Sequence, residues 1–341
     1  LLERPAHQRR RTRVFTRGNW LTPGVEVRGG LPAIFAQQTA QPPADRLAMA
    51  RWLVSPDNPL TARVMVNRFW EQLFGTGLVE TLEDFGTQGF RPTHPELLDW
   101  LAVRFGDEYR WSVKKLLRLL VTSATYRQAA VGSKVSLAKD PGNRLLSRGP
   151  RVRLTAEQLR DQALSVSGLL NPAMGGPSVL PPTPTTDAWR KQPPGAHHRR
   201  AVYTFWQPTN PYPSMVTFDS PQGNVCLSRR VRTNTPLQAL TTLNDTVYVQ
   251  AARHLAARMT GGTVREQLSA GYERVMLKKP APAKLALLEK FHAEALRRYR
   301  AQPKQAALAL GEKKPKPDAP HRAALVLAAN AVLNLDEVLT K

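Results

Sequence analysis

The sequence alternates helix-forming segments with stop signals, and this alternation leaves little room for a fold other than a helical one. One predicted helix carries apolar residues at positions i, i+4, i+7 and i+11 of a single face, namely Ala62, Val66, Phe69 and Leu73. Gly75 follows this helix directly, as a C-terminal cap does. Further helices are predicted at 46–54, 97–105, 112–127, 159–170, 235–259, 264–277, 281–300 and 321–340.

Capping sequences indicate where several of these helices begin. The pairs Thr155/Gln158 and Thr93/Glu96 match the capping box, in which each side chain bonds the other residue's backbone N–H. Asp245 falls inside the long segment 235–259 and predicts that the helix breaks and is capped again there.

A Pro- and Gly-rich segment interrupts the helices in the middle of the chain. These residues are dense from 171 to 222 and exclude helix, whereas 200–206 alternates in the manner of a strand. The predicted fold class is therefore mainly α. It is a helical domain whose irregular Pro/Gly-rich middle segment, 171–232, carries a small β element.

The same patterns divide the chain into three predicted parts. Residues 1–43, rich in Arg, Gly and Pro, form an extended N-terminal arm. Residues 44–260 form a helical core that includes the irregular insert, and residues 261–341 form a C-terminal helical segment of the same domain. Within that last part, 301–320 has the composition of a solvated linker.

The chain is strongly basic, with 49 Lys and Arg residues, 26 Asp and Glu residues and a formal net charge of +23. Such a charge attracts polyanions: nucleic acid, anionic lipid or acidic polysaccharide. Codon usage in a GC-rich genome is the alternative source of the charge, because Arg greatly outnumbers Lys. No recognised nucleic-acid-binding motif is present. Aromatic residues accompany the basic block 190–232 and could contact sugars or bases, namely Trp189, Tyr203 and Trp206.

The sequence contains few residues that could bind a metal or a cofactor covalently. Cys226 is the single cysteine, which excludes an internal disulfide, a thiolate zinc cluster and a covalent haem attachment. We expect it to be a buried apolar residue rather than a reactive thiol. We predict no metal site and no transmembrane segment. Because the first residue is Leu1, we expect the chain to be the carboxy-terminal part of a longer protein.

One candidate binding site lies on the helix that begins after Pro59. Arg63, Asn67 and Trp70 share a face at i, i+4 and i+7, beside the apolar stripe. A guanidinium in that position requires a carboxylate opposite, and Asp84 and Asp99 are the candidates. The site is either a structural ion-pair network between helices or a site for anions or sugar hydroxyls.

A second candidate site precedes the helix predicted from Thr235. Arg230 and Arg232 point the same way in an extended chain and lead into a helix N-terminus, which favours anions. Further donors follow from Thr233, Asn234 and Gln238. The segment is either a cradle for phosphate, sulfate or carboxylate, or a salt-bridged loop that caps the helix.

Acid–base catalysis has three candidate residues, Asp84, His94 and Asp219. His94 is equally consistent with a turn residue, and Asp219 with an ion pair to a nearby arginine. A glycosidase needs two carboxylates that face one sugar. The residues alone therefore do not establish an enzyme.

Several sequence blocks resemble the DUF1553 (PSD1) domain, which is found mainly in planctomycetes and related bacteria. In order along the chain these blocks are 51–63, 66–70, 74–79, 83–86, 92–101, 125–128, 140–144, 175–179, 203–206 and 229–245. Relatives read Phe-Asp-x-Pro-x-Arg-Glu-x-Cys where this chain has Gly223 and Asn224. That difference weakens any role that needs a carboxylate at position 224.

The resemblance implies a setting for the chain. Related proteins carry an upstream cytochrome c-like domain that binds haem and a DUF1549 domain, behind a secretion signal. We therefore expect a periplasmic or extracellular accessory domain of a cytochrome c-linked protein, with any haem c on the upstream part. It would bind or process an acidic polysaccharide through a basic–aromatic cleft. The alternatives are a non-catalytic scaffold that docks the redox domain and a nucleic-acid-binding module.

Overall fold

Helices make up most of the chain, as the sequence predicts, and the fold is mainly α. A computed structural model describes residues 4–8, 11–36, 43, 45–182, 192 and 195–340. It divides into two compact units, Leu1–Pro150 (unit 1) and Arg151–Lys341 (unit 2), which are described separately below.

Unit 1 begins with an antiparallel pair of strands and continues as helices. Its elements are β1 (Thr12–Phe15), β2 (Pro23–Val27), α1 (Ala33–Ala36), α2 (Arg46–Leu53), α3 (Thr61–Phe74), α4 (Pro95–Val103), a π-helical turn (Arg104–Glu108), α5 (Val113–Thr122) and α6 (Lys134–Lys139).

The core of unit 1 forms where α3 packs against α4, α5 and the π-helical turn. Val66 and Trp70 from α3 meet apolar residues of the other elements, namely Leu98, Leu101, Phe105, Leu116 and Leu120. Phe69 and Leu73, from the predicted apolar stripe, are only partly buried at the edge of this core. The buried face of α3 therefore includes Asn67 and Trp70, which the sequence places on the neighbouring polar face.

Unit 2 is an assembly of helices around one alanine-rich helix. Its helices are α7 (Ala156–Ser167), α8 (Pro213–Thr217), α9 (Pro236–Asn244), α10 (Thr246–Ala256), α11 (Val264–Met276), α12 (Pro282–Ala301), α13 (Pro303–Leu310), α14 (Ala319–Leu333) and α15 (Asp336–Leu339).

Helix α14 is the central helix of unit 2, and it contacts α9 through α13 as well as α15. Small side chains let its neighbours approach closely, and five alanines on it are fully buried: Ala319, Ala323, Ala324, Ala328 and Ala329. Residues on both sides of position 260, such as Leu255 and Leu268, share this core. The domain boundaries predicted after residues 43 and 260 stay predictions. The boundary between the two compact units lies elsewhere in the sequence, between Pro150 and Arg151.

Two local predictions about strands and linkers were wrong. The predicted strand at 200–206 is a 3-10 turn, Ala201–Tyr203, and the described part of the middle segment has only isolated parallel bridges, at Asn171–Arg199 and Val179–Thr204. The two-stranded sheet lies in the N-terminal arm instead. The predicted linker 301–320 contains α13, because Ala306 buries against Ala319 and Ala323 at the start of α14.

The capping predictions had mixed outcomes. The Thr155/Gln158 capping box and the new cap at Asp245 are confirmed. The Thr93/Glu96 box is wrong, because His94 is the N-cap residue of α4 and the Thr93 hydroxyl donates to the Leu78 carbonyl instead.

Burial of His292 makes the stability of unit 2 depend on pH. The ring lies between α12 and α14, edge-on to His321 at 5.4 Å, and burial first and then His321 lower its pKa below 6.5. The unfolded chain then binds the proton at a higher pH than the folded chain. Unit 2 is expected to be fully stabilised above about pH 6.5 and to lose stability as the pH falls below it.

Hydrogen exchange of the α12 backbone between pH 7.5 and 5, corrected for intrinsic rates, measures this loss. Substitution His292→Gln should reduce the pH dependence of α12, whereas α5 in unit 1, which has no histidine, serves as the internal reference. An unchanged pH dependence in the variant would contradict the assignment to His292.

Candidate functional site

Arg160, on α7, holds the irregular segment of unit 2 by its backbone. The side chain is 4% exposed, and its two Nη groups donate to the carbonyls of Arg199 at 2.7 Å and His197 at 2.5 Å. Its neighbour Asp161 accepts from the N–H of Ala201 at 2.7 Å. Bonds of this kind satisfy backbone groups that helices or sheets satisfy elsewhere.

Arg199 extends the same arrangement from within the irregular segment. Its guanidinium donates to the carbonyls of Pro177 at 2.9 Å and Ala173 at 3.2 Å, and also to that of Gly175. It lies 3.8 Å from the centroid of the Tyr203 ring, so that a cation–π contact adds to the hydrogen bonds. Arg199 thus joins parts of the segment to each other, and Arg160 and Asp161 join the segment to α7.

The turn held by Arg160 carries His198 into a cavity of about 480 Å³ in unit 2, which we call the basic pocket. Such a volume is within the range of small-molecule sites. Its polar lining residues are His198, Gln250, Arg253, His254 and Arg322. Its apolar lining residues are Ala256, Ala257, Leu310, Leu325 and Val326.

Arg253 is the cation of this pocket whose charge no carboxylate among the described residues matches. Its Nε donates to the carbonyl of Ala309 at 2.7 Å and one Nη to that of Leu308 at 3.1 Å, at the C-terminal end of α13. Burial lowers its pKa, but a guanidinium stays cationic at neutral pH. Arg322, by contrast, pairs with Glu312 and Asp318.

His198 is one of the two histidines that line the pocket, and its surroundings favour the neutral ring. Burial lowers its pKa, the hydrogen bond from Nε2 to Gln250 Oε1 at 3.2 Å partly offsets this, and Arg160 and His254 lower it further. The ring is therefore neutral at pH 7 and becomes a second unmatched cation in acid.

In unit 1, the predicted stripe on α3 contains structural residues. Arg63 pairs with Asp99 through Nε at 2.6 Å, one of the two carboxylates expected. Asn67 is fully buried, and its amide bonds both the N–H and the carbonyl of Val79 at 2.9 Å. Trp70 is a core residue that stacks on Phe74 at 4.0 Å.

The acid–base candidates of unit 1 make local contacts. Asp84 accepts from the backbone N–H of Gly86 at 2.6 Å, and His94 Nδ1 lies 3.0 Å from the Thr93 hydroxyl.

The predicted anion cradle in unit 2 holds a carboxylate of its own chain. The Thr233 N–H and hydroxyl both donate to Asp219 at 2.8 Å, and Gln238 Nε2 lies 3.5 Å from the same carboxylate. Arg230 pairs with Glu157 at 2.7 Å. The remaining cavity, which Arg232 also lines, is about 10 Å³, too small for an external anion.

Other predicted contact residues of unit 2 have different surroundings. Arg199 covers the Tyr203 ring, whereas Trp206 Nε1 donates to the Gln222 carbonyl at 3.0 Å. Asn234 is exposed, and Trp189 lies outside the described residues. Cys226 is exposed, so its predicted burial was wrong.

The predicted site residues are thus divided between the two units. Those of unit 1 are Arg63, Asn67, Trp70, Asp84 and His94, and those of unit 2 are Tyr203, Trp206, Asp219, Arg230, Arg232, Thr233, Asn234 and Gln238. That they surround one shared hollow stays a prediction.

None of the residues that line the basic pocket is among the site residues predicted from the sequence. Gln250, Arg253 and His254 follow the i, i+3, i+4 spacing of one helix face on α10, and this polar stripe was a readable signal. Arg322 had no such signal, since only the packing of α14 brings it to α10.

Among the described residues no group of three or more His, Cys, Asp or Glu side chains is placed to hold a metal ion. In that same part of the chain, every helix is too short or too polar to span a bilayer.

Comparison with known proteins identifies the family. The model for "Protein of unknown function (DUF1553)", or PSD1, matches residues 45–292. The chain belongs to this family. Neither the curated proteins nor the solved structures contain a significant match. The DUF1553 match ends within α12, whereas α14, the centre of unit 2, lies beyond it.

We predict that Arg160 is essential to the order of unit 2. Substitution Arg160→Met leaves two carbonyls without their buried donor and should lower the free energy of unfolding by about 3 kcal/mol. Chemical denaturation and faster hydrogen exchange at 196–204 would measure this. Arg297→Met, at an exposed position of α12, is the control, and an equal effect of both substitutions would refute the role of Arg160.

Proposed function

We propose that this DUF1553-family chain is an accessory domain that binds an acidic polysaccharide, and that the basic pocket takes one anionic sugar unit. The observation that carries the proposal is Arg253, a partly buried cation matched only by helix carbonyls. A bound carboxylate or sulfate would supply the missing negative charge and accept its remaining N–H donors.

The rest of the pocket suits a sugar. Leu310, Leu325 and Val326 offer an apolar wall against which the carbon-bound face of a ring can pack. Gln250 and His198 offer polar atoms for hydroxyl groups. The net charge of +23 would attract a long polyanion to the surface before one unit enters the pocket.

Binding, rather than hydrolysis, is the function that this lining supports. Glycoside hydrolysis uses a pair of carboxylates on either side of the bond. None of the described residues that line the basic pocket is an Asp or a Glu.

The same proposal includes what the family resemblance implies about location and partners. The chain would be exported to the periplasm or beyond, and its partners would be cytochrome c-like and DUF1549 domains. A scaffold that docks the redox domain and a nucleic-acid-binding module are the alternatives, and both predict that the basic pocket is dispensable for the interaction.

The proposal predicts that Arg253 discriminates acidic from neutral saccharides. Calorimetric titration with a sulfated tetrasaccharide, a tetragalacturonate and neutral maltotetraose should show binding of the two acidic probes only. Arg253→Gln should weaken it by about tenfold or more, the value of a charge-assisted hydrogen bond. Arg297→Gln removes the same charge from an exposed position and should leave the affinity unchanged.

A second variant keeps Arg253 and disturbs its position. Gly311 ends α13 at φ 73°, and a Cβ there would lie 2.7 Å from an Arg253 Nη. Gly311→Ala should weaken binding, whereas Gly18→Ala, at φ 74° with open space around it, should not. Duplex DNA that binds as tightly as the acidic saccharides, with an affinity that neither Arg253→Gln nor Gly311→Ala changes relative to the controls, would favour the nucleic-acid alternative.

The affinity for the sulfated probe should rise as the pH falls. His198 is neutral at pH 7 because its pKa is lowered, and a bound anion favours the protonated ring. Titrations from pH 7.5 to 5.5 should show tighter binding in acid and a smaller slope in His198→Gln. A slope that the substitution does not change would exclude His198 from the binding site.

A further inference from the structure

A second cavity, of about 420 Å³, lies within unit 1 and has lining of a different character. It opens between the loop that follows α2 and the π-helical turn after α4. The loop contributes 54–59, α3 contributes Ala62 and Arg63, and the turn region contributes residues from Ala102 to Trp111. These residues are separate from the basic pocket, so the inference goes beyond the proposed function.

The charge left in this cavity is negative. Arg63, its only basic lining residue among those described, is neutralised by Asp99 at 2.6 Å and also donates to the Pro59 carbonyl. The carboxylates of Asp57 and Asp107 line the cavity from exposed positions and have no ion pair or hydrogen bond within the described chain. In a protein with a large excess of cations, two unmatched carboxylates facing one cavity point to a cationic ligand.

Part of the wall is an indole in a fixed position. Trp111 follows Arg110, and both have left-handed backbones, at φ 60° and 47°. That backbone conformation is costly for a bulky side chain. Two contacts with Phe105 hold it here: the backbone N–H of Trp111 donates to the Phe105 carbonyl at 2.8 Å, and the two aromatic rings pack edge-to-face with centroids 5.2 Å apart. An aromatic face beside carboxylates suits an organic cation.

The loop on the opposite side is fixed as well, and it contains an unused polar atom. Asn58 is buried and its side-chain oxygen accepts from the backbone N–H groups of Leu60 and Thr61, both at 2.9 Å. Ser55 Oγ is buried next to it and has no hydrogen-bond partner among the described residues. Because that oxygen has almost no accessible surface, it belongs to the wall of the cavity and not to the groups that a ligand contacts.

A bare metal ion does not suit this lining. No group of three or more His, Cys, Asp or Glu side chains in the described part of the chain is placed to hold a metal ion, and the cavity is far larger than an ion. Val54, Ala62 and Val103 add aliphatic wall, which suits the carbon body of an organic molecule.

We propose that this cavity binds a primary ammonium group carried on a small aliphatic or sugar body, with Asp57 and Asp107 as its anionic partners and Trp111 as its aromatic wall. The ammonium donates to the carboxylates, and the carbon body packs on Trp111 and the aliphatic residues. The positive charge of the whole chain is screened beyond about 8 Å at physiological salt, so that the local carboxylates dominate.

The experiment compares ligands that share a body and differ in charge. At pH 6 and about 0.15 M salt, calorimetry compares the affinities of 1,6-diaminohexane and 1,6-hexanediol, which differ in the ammonium groups. The same comparison of glucosamine with N-acetylglucosamine tests whether the cavity takes an amine on a sugar body. We expect binding of at least one amine and none of its uncharged counterpart. Asp57→Asn and Asp107→Asn should each weaken it by about tenfold or more.

The controls make the result specific to this cavity. Glu96→Gln removes a negative charge from an exposed position of α4 outside the cavity and should leave the amine affinity unchanged. Equal binding of diol and diamine, absence of binding by both amines, or an equal loss in Glu96→Gln would each overturn the proposal. Arg253→Gln should not change the amine affinity, so failure of the polysaccharide proposal leaves this one separately testable.

Discussion

Buried arginines bonded to backbone carbonyls are the interaction on which the architecture of unit 2 depends. Arg160 and Arg199 have their partners in carbonyl groups of the Pro- and Gly-rich segment, whose described residues form only the short helix α8, 3-10 turns and isolated bridges. A guanidinium has five N–H donors, so one side chain can hold several carbonyls at once. Arg160 thereby joins α7 to the turn that carries His198, which lines the basic pocket.

Charge matching explains why the basic character of the chain does not by itself locate a site. Most acidic residues of the described chain have partners nearby, as in the pairs Arg63–Asp99 and Arg230–Glu157, and Asp219 fills the cradle predicted for an external anion. A site for a charged ligand requires charge that the chain leaves unmatched. In unit 2 that charge is the guanidinium of Arg253, and in unit 1 it is the pair of carboxylates of Asp57 and Asp107.

Much of the fold could be predicted, because helix starts and ends depend on residues a few positions apart. The box at Thr155, the cap at Asp245 and the start of α9 at Pro236 are all local hydrogen-bonding patterns. The failures also have a physical reason. A strand at 200–206 needed a partner strand, and α13 forms where a linker was predicted because Ala306 can bury against α14. Both outcomes depend on packing between distant residues.

By itself the sequence determined the helical class, the family and the excess of positive charge, since each follows from composition or from short-range order. Tertiary structure alone decided which polar residues are already satisfied. Asn67 and Trp70 look like ligand contacts on a helix face, yet one bonds the Val79 backbone and the other stacks in the core. Arg253 lies 56 residues from the carbonyl of Ala309 that it bonds, and no pattern of neighbours along the chain specifies a contact across that separation.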